Sequence, residues 1–242
     1  MIRIIAAKEA GRLLKRRALR LAEAERTVRP ILEAVRRRGD RALVSYARRL
    51  DGLKRASVRV PAEELEQAAQ QLKLAFRKAV RAAAKNIRAY ARRQLPADAA
   101  WSAAPGLRLG QVVRPLEAVG CYTPAGRYPL PSTLLMTALP AQVAGVPRIC
   151  VASPRPVPEI LGAAYLLGLT EVFQMGGAQA IAAFAYGTRT VPKVDRIVGP
   201  GNVYVTAAKK LLAGEVGIDF VAGPSEILII SERGNPAVLA AD

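Results

Sequence analysis

The feature of this 242-residue chain that most constrains its fold is an alternation of short apolar runs and helical segments, which begins near Gln111. We predict strands at residues 112–113, 118–122, 148–152, 171–175, 196–198, 218–221 and 226–231. Helices are predicted between them at residues 131–144, 158–167, 178–186 and 203–212. Strands that alternate with helices of this length form a mostly parallel sheet with helices on both faces.

The first hundred residues have a helical pattern instead. Residues 8–50 are predicted as helices with a turn at Gly39-Asp40, and residues 57–60 as a short strand. A further helix is predicted from apolar residues at helical spacing that share one face: Phe76, Val80, Ala83, Ile87 and Tyr90.

The predicted fold class is α/β, with an N-terminal helical segment and an incomplete Rossmann-like parallel-sheet domain. Residues 1–114 are predicted to form the basic helical segment and the start of a first α/β domain. Residues 115–224 are predicted to form the Rossmann-like domain, and residues 225–242 to return to the first domain and be cut short.

The net charge of +18 is concentrated at the N-terminal end, where residues 1–100 hold 26 Lys and Arg against 10 Asp and Glu. Such a basic region is compatible with a nucleic-acid-binding module, which stays open as an alternative. However, only Tyr46, Phe76 and Tyr90 are aromatic there, and two of them belong to the apolar helix face, so few rings remain to stack on bases. A solvated, arginine-rich helix surface is the favoured interpretation, and we expect no nucleic-acid partner.

Residues 128–147 carry no charge over a length that would suit a membrane helix. They contain four prolines, at positions 129, 131, 140 and 147, so we predict a buried loop and helix instead. No signal-peptide pattern is visible either, and we expect a cytoplasmic protein without a membrane partner.

Three segments rich in Gly and Pro follow predicted strands, at residues 122–126, 175–179 and 199–202. Ligands of parallel sheets bind beyond the carboxyl ends of the strands, and a helix that starts there directs free N–H groups at an anion such as a pyrophosphate. A single segment of this kind is more often a plain tight turn, but three together on one sheet edge favour a dinucleotide or a phosphorylated ligand. Gly199-Pro200-Gly201 lacks the third glycine of the G-x-G-x-x-G fingerprint, so we expect a non-standard mode of binding.

The absence of histidine excludes Ser-His-Asp and Cys-His mechanisms and any histidine base or metal ligand within this sequence. Cys121 and Cys150 lie in apolar strand contexts and are predicted to be inert core thiols. Ser225 is not part of a G-x-S-x-G elbow, so we predict a substrate hydrogen bond or a helix cap for it.

Several long motifs occur in the order typical of one enzyme family. They are VGCYTPAGRYPLPSTLLM at 119–136, GGAQAIAAFAYGT at 176–188, VPKVDRIVGPGNVYVTAAK at 191–209 and AGPSEILII at 222–230, with RRRGDRALVSYARRLDG at 36–52 nearer the N-terminus. In these motifs the chain resembles the histidinol dehydrogenase family.

The resemblance implies the oxidation of L-histidinol to L-histidine, the last steps of histidine biosynthesis, by a homodimer that uses NAD and zinc. Tyr122, Gln179 and Asn202 match the family's NAD-contacting positions, and Ser225 matches a substrate-contacting position. Residues 115–224 would then be the NAD-binding domain.

The family's zinc ligands and its Glu-His proton-transfer pair have no counterpart in this sequence, so no catalytic or metal-binding residue is predicted within it. A helix predicted from Asn235 and Pro236 reaches Asp242 in less than two turns. We therefore expect a truncated family member that carries the NAD side of the site and is inactive alone. A relative that oxidises another amino or sulfonated alcohol is the alternative within enzymes.

Overall fold

The computed structural model describes residues 10–125 and 130–221. Its helices are α1 (Ala10–Arg38), α2 (Asp40–Asp51), α3 (Ala62–Gln71), α4 (Leu74–Gln94), α5 (Pro131–Val143), α6 (Pro158–Leu166), α7 (Gly177–Tyr186) and α8 (Val203–Leu212). Its strands are β1 (Ala99–Ala104), β2 (Leu107–Gln111), β3 (Ala118–Tyr122), β4 (Arg148–Ser153), β5 (Glu171–Gln174), β6 (Arg196–Val198) and β7 (Gly217–Ile218).

Five of the strands form one parallel sheet in the order β5-β4-β3-β6-β7. From β3 the chain moves outward through β4 to β5, and then returns to the other side of β3 to form β6. The strand order therefore reverses between β3 and β6. In open α/β sheets this switch point is where ligands bind, at the carboxyl ends of the strands.

Helices cover both faces of this sheet, because successive strand residues point to opposite sides. Ala118 and Tyr122 of β3 belong to a buried cluster with apolar residues of α1, α2, α7 and α8. Val119 and Cys121, which alternate with them, belong to a second cluster with residues of α3, α4, α5 and α6. The predicted α/β class is confirmed, with the N-terminal helices packed directly on the helices of the sheet.

The structure corrects four local predictions. Of the strand predicted at 218–221, only Ile218 belongs to a strand, because β7 is Gly217–Ile218. Residues 112–113 are not a strand, because the chain pairs earlier, in the antiparallel hairpin of β1 and β2. Residues 57–60 make only an isolated bridge, in which Arg59 pairs antiparallel with Phe173 at the edge of β5. Tyr90 is 67% exposed, and Ala91 beside it takes the buried place on α4.

Within the described ranges, none of the helices has the length and apolarity needed to span a membrane. Cys121 and Cys150 are both buried free thiols, and burial raises the pKa of Cys121 to about 12. The strand predicted at 226–231 lies outside the described residues. The proposed division at residues 114 and 224 stays a prediction.

Candidate ligand-binding site

A cavity of about 910 Å³ opens at the carboxyl ends of the sheet strands. Its wall is built from the segments that follow β3, β4, β5 and β6, closed on one side by α1 and the last turn of α2. Apolar side chains form much of this wall, including Val28, Ile31, Leu130, Val157 and Ile160. The cavity therefore occupies the switch point and offers a ligand a largely apolar surface with a few polar groups.

The corner between β5 and α7 is closed by two side chains from other elements. The Gly176 amide donates to Asp51 Oδ2 at 2.9 Å, and the Gly177 amide donates to the Tyr122 hydroxyl oxygen at 3.1 Å. Gly177 has a φ of +56°, a left-handed conformation that favours glycine. A Cβ on Gly177 would also lie 2.9 Å from Gln179 Oε1, so the Gln179 side chain would have to shift to accommodate it.

Gln179 lies in the first turn of α7 and is buried, with only 1% of its surface exposed. Its Nε2 donates to Asp51 Oδ2 at 2.9 Å. Its Oε1 has no hydrogen-bond partner among the residues that the structure describes. Because a carboxylate only accepts hydrogen bonds, Asp51 fixes which end of the amide faces it.

Burial raises the pKa of the Asp51 carboxyl above its ordinary value, while hydrogen bonds from Gly176 and Gln179 and the charge of Arg155 act in the opposite direction. Burial also raises the pKa of Tyr122 to about 12, opposed by the Gly177 hydrogen bond. The Tyr122 hydroxyl therefore keeps its proton near neutral pH. The hydroxyl can therefore donate a hydrogen bond to a ligand while its oxygen accepts one from the Gly177 amide.

The corner between β6 and α8 is held mainly from within its own segment. Asn202 Oδ1 accepts from the amides of Tyr204 and Val205, at 3.0 and 3.1 Å, and so caps α8. Two turns further along α8, Lys209 Nζ donates to the Gly199 carbonyl at 2.6 Å and pairs with Asp219 Oδ1 at 2.7 Å.

Gly199 is fixed at both of its polar groups. Its amide donates to Asp219 Oδ2 at 2.8 Å, while its carbonyl accepts from Lys209. It has a φ of +113°, and a Cβ there would overlap the Tyr122 carbonyl oxygen. Only glycine therefore allows β6 to end so close to the end of β3.

Tyr122, Gln179 and Asn202, the three residues predicted to contact NAD, all line this cavity. Their role as cofactor contacts stays a prediction, and Ser225 lies outside the described residues. The expectation that the amides at these corners face an anion is wrong for Gly176, Gly177, Gly199, Tyr204 and Val205, whose N–H groups are bonded to acceptors within the protein.

Sequence reasoning missed Asp51, Lys209 and Asp219 as parts of these corners. The available signal for Asp51 was its place at the end of the motif RRRGDRALVSYARRLDG, next to the helix-ending Gly52. Lys209 was visible only as one of two adjacent lysines, with Lys210, in the helix segment VYVTAAKKLL. Nothing in the pattern indicated which groups they would bind.

No group of three or more His, Cys, Asp or Glu side chains that could hold a metal ion occurs within residues 10–125 and 130–221. The two cysteines do not provide one, because both are buried in the sheet and burial raises the pKa of each thiol. The described residues therefore do not fit a zinc ion.

The fold and the cavity together define a doubly wound α/β arrangement with a cavity at its topological switch point. The family model for histidinol dehydrogenase matches residues 14–242. The chain belongs to the histidinol dehydrogenase family.

Individual relatives agree with this assignment. The chain is 50% identical to the histidinol dehydrogenase of Caulobacter vibrioides over 226 residues, covering 91% of this chain and 53% of that protein. It is 48% identical to the Aquifex aeolicus histidinol dehydrogenase, covering 95% of this chain and 54% of that protein.

A crystal structure of histidinol dehydrogenase from Elizabethkingia anophelis superimposes with a TM-score of 0.82 at 35% identity, over 89% of this chain and 52% of that one. The chain thus spans about half the length of the relatives that it matches.

Proposed function

We propose that this chain binds NAD in the cavity at the switch point, as the cofactor-binding part of an NAD- and zinc-dependent oxidation of L-histidinol to L-histidine. The observation that carries the proposal is that Tyr122, Gln179 and Asn202, from three separate corners, line one cavity. Membership of the histidinol dehydrogenase family supports the same reaction. A homodimeric, cytoplasmic enzyme remains part of this proposal.

In this proposal NAD supplies the hydride acceptor, and the residues of this chain bind and orient it. The Tyr122 hydroxyl offers a donor at the end of β3, and the Asn202 amide lies at the start of α8. Apolar residues such as Val28 and Ile31 exclude water from one side of the cavity. Holding a cofactor rigidly in this way lowers the entropic cost of reaching the reactive geometry.

Zinc and the proton-transfer groups of the proposed reaction would come from residues other than the described ones. The sequence contains no histidine, and the described residues form no metal-binding cluster. In the proposal, Ser225 contributes a hydrogen bond to the substrate.

Calorimetric titration of the purified chain with NAD tests the binding site. We expect saturable binding, weakened by Tyr122→Phe by about 0.5–1.5 kcal/mol, the value of one hydrogen bond. Tyr165→Phe is the matched control, because Tyr165 lies on α6, is 45% exposed and does not line the cavity. Absence of saturable NAD binding, or equal effects of the two variants, would overturn the proposal.

The metal side is tested by zinc analysis and by an NADH-absorbance assay with histidinol on the same chain. We expect no stoichiometric zinc after dialysis and no steady NADH formation, because tight zinc sites need three or four well-placed ligands. One zinc retained per chain, or sustained turnover, would show that the chemistry lies within these 242 residues.

A further inference from the structure

A second cavity lies between α4 and the C-terminal end of α6. It has a volume of about 370 Å³ and shares no lining residue with the cavity at the switch point. Its apolar floor is formed by Val80 and Ala84 of α4 together with Leu166 and Leu167. The other residues that line it are all basic, namely Arg81, Lys85, Arg88 and Arg92.

The four basic residues form one row on α4. Their spacing of four, three and four residues keeps them within about 60° of one another around the helix axis and extends the row over about 16 Å. No acidic residue occurs in α4 or among the residues that line this cavity. Because like charges three or four positions apart destabilise a helix, the row contains a repulsion that a bound anion would relieve.

The guanidinium of Arg88 is held in place by a neighbouring amide. Its Nη2 donates to Gln142 Oε1 at 3.0 Å, and Gln142 Nε2 donates to the Leu167 carbonyl at 2.8 Å. A guanidinium has five N–H donors, and this is the one hydrogen bond that Arg88 makes to a described side chain. Arg88 is therefore oriented before a ligand binds and has donors left for it.

The other three basic side chains are unpaired within the described residues. Arg81, Lys85 and Arg92 make no hydrogen bond or ion pair there, and all three are exposed to solvent. A row of such cations beside an apolar floor is complementary to a ligand that combines several negative charges with an apolar part.

We propose that this cavity binds a small organic molecule that carries a triphosphate group, with the phosphates along the basic row and the organic part on the apolar floor. The site is separate from the proposed NAD site and does not depend on it. Arginine and lysine bind phosphate oxygens through charge-assisted hydrogen bonds. A cavity of about 370 Å³ lies within the size range of small-molecule sites.

A single-stranded nucleic acid fits this surface less well. Such strands bind by stacking their bases on aromatic side chains as well as by charge. Among the described residues that line the cavity none is aromatic, and Tyr90, the exposed ring of α4, is not one of them. A small triphosphate is therefore the ligand that the observations favour.

Calorimetric titration of the purified chain with ATP tests the site, with inorganic triphosphate and a short oligouridylate titrated in parallel. We expect saturable ATP binding that weakens as the salt concentration rises. Inorganic triphosphate should bind more weakly, because it leaves the apolar floor uncovered. Lys85→Gln combined with Arg92→Gln should weaken ATP binding by about 10- to 100-fold and leave NAD binding unchanged.

The matched control combines Lys78→Gln with Arg93→Gln. These residues are also an exposed lysine and an exposed arginine of α4, and neither lines the cavity. This pair should change ATP affinity by less than about threefold. Neither pair of substitutions removes a hydrogen bond or ion pair with a described residue, so both variants should fold.

Equal losses in the two variants would show that ATP responds to the overall charge of α4, and would overturn the site. The site is also overturned by the absence of saturable ATP binding, or by ATP binding that is unchanged in the Lys85 and Arg92 variant. Inorganic triphosphate or oligouridylate that binds as tightly as ATP would overturn the assigned ligand. Failure of the wild type to bind NAD contradicts the proposed function alone, because this cavity is tested with ATP.

Discussion

The corners after β5 and after β6 are alike in sequence and are held by different parts of the chain. Each follows a parallel strand, contains glycine with positive φ, and starts a helix of 10 residues. At the first corner the acceptors come from Asp51, 125 positions upstream of Gly176, and from Tyr122 of β3. At the second they come from Asn202 itself and from Asp219, 20 positions beyond Gly199.

The difference shows that similar turns can depend on different parts of the molecule. The second corner is a local unit, whose Lys209, Asp219 and Asn202 lie within about twenty residues of one another. The first corner has Asp51 as an acceptor only when α2 packs beside α7. We therefore expect substitutions at the first corner to report on docking of the N-terminal helices, and those at the second to report on the sheet itself.

The largest effect is expected for Lys209→Met at the second corner. The Lys209 side chain is 4% exposed and that of Asp219 is 15% exposed, so the variant leaves a mostly buried carboxylate without its cation. Breaking such a pair costs about 3–5 kcal/mol of unfolding free energy, measurable by urea denaturation followed by circular dichroism.

Lys210→Met is the control for that prediction. Lys210 is next in the sequence and pairs with Glu25, but its side chain is 50% exposed. Its removal should cost at most about 1 kcal/mol. Similar losses for both variants would contradict the view that Lys209 holds the second corner.

At the first corner, Asp51→Ala should cost about 2–3 kcal/mol. It leaves the Gly176 amide and Gln179 Nε2 without an acceptor in a buried place. Hydrogen exchange should show faster exchange in the first turn of α7 and in the last turn of α2, with β6 unaffected. Equal acceleration at both corners would show that they are not independent.

Asn202→Ala should have a smaller effect with two separable parts. Loss of the cap costs about 1 kcal/mol of stability, and loss of a ligand contact lowers NAD affinity by about 0.5–1.5 kcal/mol. Asn202→Asp keeps the oxygen that caps α8 but not the amide donor. Compared with Asn202→Ala, it should restore the stability but not the affinity for NAD. If Asn202→Asp restores both, Asn202 acts only as the cap of α8.

The smallest expected effect is a pH dependence of opposite sign at the two ends of α2. Burial opposes ionisation of Asp40, but hydrogen bonds from Thr188, Thr190 and Arg189 outweigh it and hold its pKa below the ordinary 3.8. Its contribution to stability is present above pH 3.8 and is lost as the pH falls through the lowered pKa.

For Asp51 the sign is reversed. Burial raises its pKa, so its pH-dependent contribution is present below 3.8 and is lost as the pH rises through the raised pKa. Both contributions can be measured by urea denaturation of the wild type, Asp40→Asn and Asp51→Asn between about pH 3 and 6. The difference in unfolding free energy between the wild type and each variant, plotted against pH, gives the slope for that carboxyl group. Slopes of the same sign would contradict the opposite pKa shifts of Asp40 and Asp51.

The sequence was sufficient to predict four of the five strands of the parallel sheet, because strands buried on both faces appear as short apolar runs between turns. β3, β4, β5 and β6 lie where the runs predicted them, to within a residue. The hairpin of β1 and β2 was missed because every residue in both strands is exposed, so no apolar alternation marks them.

The Gly-rich corners, and with them the place of the cavity, followed from the sequence because strand, turn and helix signals are local. The tertiary structure alone decided which groups satisfy those corners. Asp51 ends one helix and meets the start of another 125 positions later only because α2 and α7 pack on the same face of the sheet. The spacing of residues along the chain does not predict such a contact, because the contact forms only when distant apolar faces are buried together.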